Sequence, residues 1–236
     1  MKICFFLTAT ITPKDTPLLK HKNPRERENE YLISLKNLIK YKLPIIFCEN
    51  SNTKSEKIIH LLNESKIEFE YLCFESEKSN LGKGNGEAEI FLYALNNSNI
   101  LKNNDFFVKI TGRYIIKNLS KQLKSLEKNT IYFNISQNLK WTDSRFFIFN
   151  YHFYTNYFVK NFNELDEKKG IYMEHILNNA ILKYIADNNK WNFLNNFPIY
   201  EGIYGTDKIK YKNNFLKNKI KEILYKLKKQ MFSQNI

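Results

Sequence analysis

Ile3-Cys4-Phe5-Phe6-Leu7-Thr8-Ala9-Thr10-Ile11-Thr12-Pro13 is the stretch that decides the fold. From Ile3 to Ile11 it is apolar, aromatic or β-branched without a break, the composition of a strand buried on both faces, and Thr12-Pro13 ends it. After a loop reaching Pro24, Glu28 to Tyr41 places Tyr31, Leu32, Leu35, Leu38 and Ile39 at helical spacing, and Leu43-Pro44 stops the run. Pro44 to Cys48 reads as a second buried strand, Ser55 opens a helix with Ile58, Ile59, Leu61 and Leu62 inward, and Glu68 to Phe74 alternates as a third strand. This β-α-β-α-β order predicts an α/β fold whose mostly parallel sheet is covered by helices on both faces.

Further along, Gly82-Lys83-Gly84-Asn85-Gly86 precedes a helix expected from Glu87 to Asn97, and Asp105 to Ile110 is a strong strand ending in Thr111-Gly112-Arg113-Tyr114. The second half is less regular. Strands are expected at Thr130–Ser136 and Arg145–Phe149, an aromatic helical stretch at Tyr151–Phe162, and a helix at Tyr172–Ala186. With no internal repeat and no glycine- or proline-rich linker, one catalytic domain is expected over residues 1–210, followed by a basic tail over 211–236.

The 236 residues, 43% hydrophobic and 15% aromatic, suffice for a packed core. Cys4, Cys48 and Cys73 sit in apolar runs without a CxxC pair, so they are expected to be buried, reduced thiols. The N-terminal MKICFFLTATITP is too short for a signal h-region and lacks a cleavage site. Nothing approaches the ~18 apolar residues of a membrane span, so a cytoplasmic location is expected. The net charge of +13 suggests nucleic acid, an anionic membrane surface or a phosphorylated small molecule as partner. Much of the excess lies between Lys208 and Lys229, where Glu222 is the one acid.

Ligands of such sheets bind beyond the carboxyl ends of the strands. Here those ends supply Thr8, Ala9, Thr10 and Thr12 after the first strand and Glu49 and Asn50 after the second. Lys83, Gly84, Gly86 and Glu87 lie where a helix start favours an anion, although a plain flexible turn would use the same glycines. The Walker spacing is absent. Lys109 interrupts an apolar strand, and Arg113 follows Gly112, so that with Thr111 they could meet a phosphate. The structural alternative pairs Lys109 and Arg113 with Asp105 or a nearby glutamate.

TATIT after the first strand, GKGNGEAE opening a helix and KITGRY ending a strand together resemble a group of small bacterial glycosyltransferases of surface-polysaccharide assembly. The resemblance spans residues 1–180 and implies a GT-A-like, Rossmann-like fold, a nucleotide-sugar donor and a glycan acceptor of lipooligosaccharide or capsule. Such enzymes carry a metal-binding Asp-x-Asp motif, which this sequence lacks. Thr111-Gly112-Arg113-Tyr114 stands in its place. Departure of a nucleoside diphosphate needs its growing charge stabilised, and Arg113, Lys109 and Lys83 can do this as a metal would. No cofactor is indicated beyond the donor substrate, a divalent metal is left open without being indicated, and His21, His60 and His152 are too scattered for a metal site.

An inverting transfer also needs a general base, for which Asp143 and Glu174 are the candidates beside Arg113 as the catalytic cation. Asp143 lies in Trp141-Thr142-Asp143-Ser144-Arg145, where Trp141 and Arg145 could contact an acceptor, and it could equally cap its own turn. Glu174, next to His175, a third acceptor candidate, starts a helix where the dipole favours an acid anyway. Gly202-Ile203-Tyr204-Gly205-Thr206 reads as a closing loop or a simple turn. From Asn214 to Phe232 a basic amphipathic helix carries Ile220, Ile223, Leu224, Leu227 and Met231 on one stripe, which suits the anionic inner face of a plasma membrane and a lipid-linked acceptor, or docking on its own domain. A sugar nucleotidyltransferase is the enzymatic alternative, though TATITPK lacks the glycines of that class. Nucleic acid is not expected as a partner, because the aromatics fall in core-like runs.

Overall fold

The computed structural model describes residues 1–211 and 214–233. Its first half alternates β1 (Ile3–Ala9), α1 (Pro24–Leu38), β2 (Ile45–Glu49), α2 (Glu56–Glu64), β3 (Phe69–Cys73), α3 (Lys83–Asn97), α4 (Asn99–Asn103) and β4 (Phe106–Thr111). There follow β5 (Ile115–Ile116), α5 (Leu119–Gln122), β6 (Ile131–Phe133), β7 (Phe146–Asn150), α6 (Tyr151–Phe153), α7 (Met173–Ala186), β8 (Trp191–Phe193), β9 (Tyr200–Glu201) and α8 (Phe215–Ser233). Residues 212–213 and 234–236 of the expected tail lie outside the described residues.

Among the described residues one seven-stranded sheet runs β3-β2-β1-β4-β7-β6-β8, and β5 pairs with β9. β1 is parallel to β2 and β4, and β2 to β3. β7 runs antiparallel to both β4 and β6, while β6 and β8 are again parallel. The mostly parallel sheet flanked by helices is the α/β architecture that the opening strand predicts. Cys4 to Leu7 and Ile45 to Cys48 are completely buried, as strands covered on both faces must be. Since β2 and β3 lie to one side of β1 and β4 to the other, the strand order reverses between β1 and β4, where an α/β sheet opens a crevice. Thr8 and Thr111 face each other across that reversal.

Local sequence sets the helix starts. Asn23 caps α1 by accepting from the Arg25 and Glu26 amides with Pro24 at the first position, and Ser55 caps α2 through the Ile58 amide. The core centres on Phe91 of α3, whose ring lies 5.2 Å from Phe6 and 4.9 Å from Phe158, so truncating it to alanine would cost about 3–5 kcal/mol.

Two expectations, the start of α3 and the burial of Cys73, are corrected, and two others gain detail. Helix α3 begins at Lys83 rather than Glu87, so Gly84 and Gly86 lie inside its first turn; Gly86 packs where an added Cβ would sit 3.0 Å from Asn50 Nδ2. The stretch Tyr151–Phe162 is helical as expected, but its winding changes from α6 to a π-turn and then a 3-10 segment. The strands expected at 130–136 and 145–149 are present as β6 and β7; β7 alone reverses direction, returning beside β4. Cys73 is half-buried rather than buried; burial and the Glu49 carboxylate beside it push its thiol up to about 11.

Candidate functional site

The β1–β4 reversal opens into a cavity of about 280 Å³. Its floor is made of the strand ends, and Thr8, Ala9, Thr10, Asn50 and Thr111 from the expected donor set line it. Helix α1 fixes this floor. Tyr31 Oη accepts from the Thr10 amide at 2.7 Å, and Arg27 Nε donates to the Thr10 carbonyl at 2.6 Å. Asn50 Oδ1 accepts from the Thr10 hydroxyl, while its amide nitrogen donates to Gly86, joining β2 to α3.

Four cationic side chains reach the cavity: Arg27, Lys83, Arg113 and Arg145. Arg113 is almost fully buried, with Nη1 donating to Glu30 at 2.9 Å and to the Ile203 carbonyl at 3.1 Å. The other Glu30 oxygen lies 2.9 Å from Nε2 of fully buried His21. Burial holds His21 below its ordinary pKa against the opposing pull of Glu30. Lys83 Nζ reaches across to the Thr206 hydroxyl at 2.5 Å; burial lowers its pKa, against the opposing charges of Glu167 and Glu174. Arg145 grips Asp143 through two nitrogens, each at 2.7 Å, and stacks 4.2 Å above the Tyr200 ring. Burial works against the Arg145 charge, but Asp143 outweighs it and raises its pKa.

The loop Gly202–Thr206 covers the cavity, with Tyr204, Gly205 and Thr206 in its wall. The Gly205 carbonyl accepts from the Lys20 and His21 amides at 3.1 Å each. Gly202 has φ of +144°, and a Cβ there would come within 2.8 Å of Tyr114, so both backbone and space require glycine.

A second cavity, also about 280 Å³, shares Lys83, Glu87, Glu174 and Thr206 with the first and is walled by Trp141 and Tyr172. Glu174 therefore faces both. Ser144 donates to its Oε1 at 2.8 Å, and burial raises its pKa despite that hydrogen bond. The Trp141 ring is 41% exposed and stands edge-on to His175 at 5.3 Å, so it offers a face to solvent. His175 Nδ1 accepts from the Tyr172 amide, which fixes the start of α7.

Several expected contacts have structural partners instead. Lys109 is completely buried, 2.6 Å from Glu87 and bonded to the Ser144 carbonyl at 2.5 Å, and Glu87 also accepts from the Thr8 hydroxyl. Glu49 is buried and accepts from the Ile11, Ser51 and Thr53 amides, binding the β1 loop to the β2 end, while Thr12 bonds Ser51 and Thr53 nearby. The Gly84 amide donates to Glu167 Oε1 at 2.5 Å. Gly112 does not line the cavity; its amide donates to the Thr8 carbonyl at 3.0 Å and an added Cβ would sit 3.1 Å from Tyr31, so glycine lets β4 approach β1. Asp143 is held by Arg145 and by the Tyr200 hydroxyl at 2.9 Å, and it lines neither cavity. Arg27 went unread because a single arginine in an amphipathic helix carries no motif.

The carboxyl end of β4, where the sequence carries Thr111-Gly112-Arg113-Tyr114, does not fit a divalent metal. It presents Thr111 and Arg113, the nearby acids Glu87 and Glu30 are engaged by Lys109 and Arg113, and no group of three or more His, Cys, Asp or Glu able to hold a metal occurs among the described residues.

No family model and no curated protein matches the chain. Solved structures do. Core-mannan synthase A of Aspergillus fumigatus, in a Mn/GDP form, is 14% identical with a TM-score of 0.49, over 90% of this chain and 78% of that one. The 4-diphosphocytidyl-2C-methyl-D-erythritol synthase of Anaerococcus prevotii is 12% identical with a TM-score of 0.44, over 95% and 98%. A nucleoside-diphosphate-sugar pyrophosphorylase of Vibrio cholerae is 10% identical with a TM-score of 0.43, over 81% and 91%.

Proposed function

We propose that this chain is a nucleotide-sugar-dependent glycosyltransferase that acts on a glycan acceptor of a bacterial surface polysaccharide. One observation carries the reading: a half-buried carboxylate, Glu174, stands at the junction of a cationic strand-end cavity and a second cavity walled by Trp141 and Tyr172. The first suits a nucleoside diphosphate and the second a sugar ring. The motif resemblance of TATIT, GKGNGEAE and KITGRY supports a surface-polymer acceptor.

The donor diphosphate lies among Arg27, Lys83, Arg113 and Arg145. The acceptor sugar stacks on Trp141 and turns a hydroxyl to Glu174. The acceptor oxygen bonds to the anomeric carbon, the bond from that carbon to the diphosphate oxygen breaks, and the acceptor proton passes to Glu174. The fixed cations take up the charge left on the nucleoside diphosphate without reorganising. Glu174 suits the base role better than Asp143, because Arg145 and Tyr200 already occupy the Asp143 carboxylate.

The test is a thermal-shift screen against nucleoside diphosphates and nucleotide sugars, in EDTA and with magnesium or manganese, followed by product analysis. Stabilisation by one base family in EDTA, with release of a nucleoside diphosphate, is expected. Release of pyrophosphate from a nucleoside triphosphate and a sugar phosphate would make the chain a nucleotidyltransferase. Absence of any nucleotide effect would remove the reading.

A further inference from the structure

Helix α8 docks through one face and turns a different one outward. Tyr225 is 4% exposed, its ring 6.3 Å from Phe193 and 5.9 Å from Phe197, and the Phe232 ring lies 5.4 Å from Phe193. On the same side Glu222 accepts from Asn196, and Lys229 donates to the Leu194 carbonyl at 3.3 Å. Glu222, Tyr225, Lys229 and Phe232 follow the three- and four-residue spacing of a single helix face. Docking is therefore complete without the aliphatic stripe. Leu216, Ile220, Ile223, Leu224 and Leu227 stay 68%, 55%, 51%, 58% and 51% exposed.

At about 100° per residue these five residues form one band nearly opposite the docked face. Lys219 and Lys226 run along one margin of the band and Lys217 along the other, while Lys221 reaches back over the Phe197 ring at 5.4 Å. An exposed band of large aliphatics on a helix that has already found its intramolecular contact calls for an external apolar phase.

We propose that this outward face of α8 docks onto an anionic lipid bilayer, with the aliphatic band in the acyl boundary and the marginal lysines on the headgroup phosphates. Charge selects this occupant. A second copy packed band to band would set lysine margins against lysine margins, whereas lipid phosphates neutralise both, and the chain as a whole carries +13. The inference stands on α8 alone and is independent of the donor-site reading.

Flotation of the full chain with vesicles of phosphatidylcholine alone, or mixed with phosphatidylglycerol, tests it. The parent is expected to float with the mixed vesicles only, and less as salt rises. Lys217→Gln/Lys219→Gln/Lys226→Gln should weaken binding on the order of a hundredfold, from the contribution of each lysine near a charged surface. Ile220→Ser/Leu224→Ser/Leu227→Ser should abolish it; all six side chains are exposed, and Tyr225 and Phe232 stay in place to hold the dock. Equal binding to both vesicle types, no binding to mixed vesicles at low salt, or parent-like binding by the lysine variant would each overturn the proposal. So would a dimer that the serine substitutions dissolve, since the face would then belong to a second copy.

Discussion

Arg113 Nη1 stands 2.9 Å from Glu30 Oε2 and donates also to the Ile203 carbonyl, so one buried guanidinium ties helix α1 to the loop that covers the cavity. The same residue lines the cavity wall. Arg113→Ala should therefore act twice. Stability falls by about 3–5 kcal/mol, because the half-buried Glu30 carboxyl loses the guanidinium it faces and the α1-to-loop tie is cut. Turnover falls on the order of a hundredfold, as expected when one fixed cation is lost from a developing anion. Adding Glu30→Gln should restore much of the stability in urea unfolding but none of the turnover. Parent-like turnover in Arg113→Ala would end the role of Arg113 as a clamp.

Lys109 should behave differently. Completely buried against Glu87, it holds β4 to α3 and to the β7 entrance and lines neither cavity. Lys109→Met is expected to cost about 3–5 kcal/mol, with donor affinity unchanged in the fraction that folds. Calorimetric titration with the stabilising nucleotide checks this. An affinity loss with an unchanged urea midpoint would return Lys109 to the donor site.

Burial raises the Glu174 pKa, and this fixes the sign of two pH effects. As a base the carboxylate must be ionised, so turnover should climb with pH through a limb lying above the ordinary carboxylate range. Glu174→Gln should remove that limb and lower the rate by about 10²–10⁴. For stability, a folded-state pKa above the unfolded value means that the benefit is full below the unfolded pKa and is lost as pH rises through the folded one. Glu174→Gln should therefore be more stable than the parent at neutral pH. A mutant that is less stable there would show that the charge is compensated.

Trp141→Ala addresses the second cavity. Its ring is partly exposed, so removal should hardly change the melting temperature. The acceptor KM should rise while nucleotide-sugar hydrolysis in the absence of acceptor stays at the parent rate. Equal loss of both activities would place Trp141 in the donor half instead.

The first half of the fold was legible because parallel strands are continuous apolar runs, and β1, β2 and β4 show it in their composition. In the second half β6, β7, α7 and α8 could also be read, but the short elements could not. β8 is only Trp191-Asn192-Phe193, and a segment this short has no period to read. The aromatic run after Asn150 keeps helical spacing but changes winding between Tyr154 and Glu164, which composition does not encode. Around the cavity, the strand-end threonines and Arg113 could be placed together from the sequence because the carboxyl edge of an α/β sheet gathers them, and Lys83 and Glu174 because each opens a helix facing that edge. Lys109 kept two readings, because a charge inside an apolar strand signals either a ligand contact or a buried partner. Only the fold shows that Glu87 waits on the adjacent helix.

Glu167 gives the helix start its last consequence. Its carboxylate rests on the Gly84 amide and fills the space a Gly82 side chain would need. The chain thus carries its own counter-ion at the point where an incoming anion would be most attracted. Any such anion has to exchange with a tethered carboxylate at very high local concentration, so weak monoanions gain nothing by arriving. This amounts to a threshold: a guest must bring more charge and more contacts than the resident acid already provides.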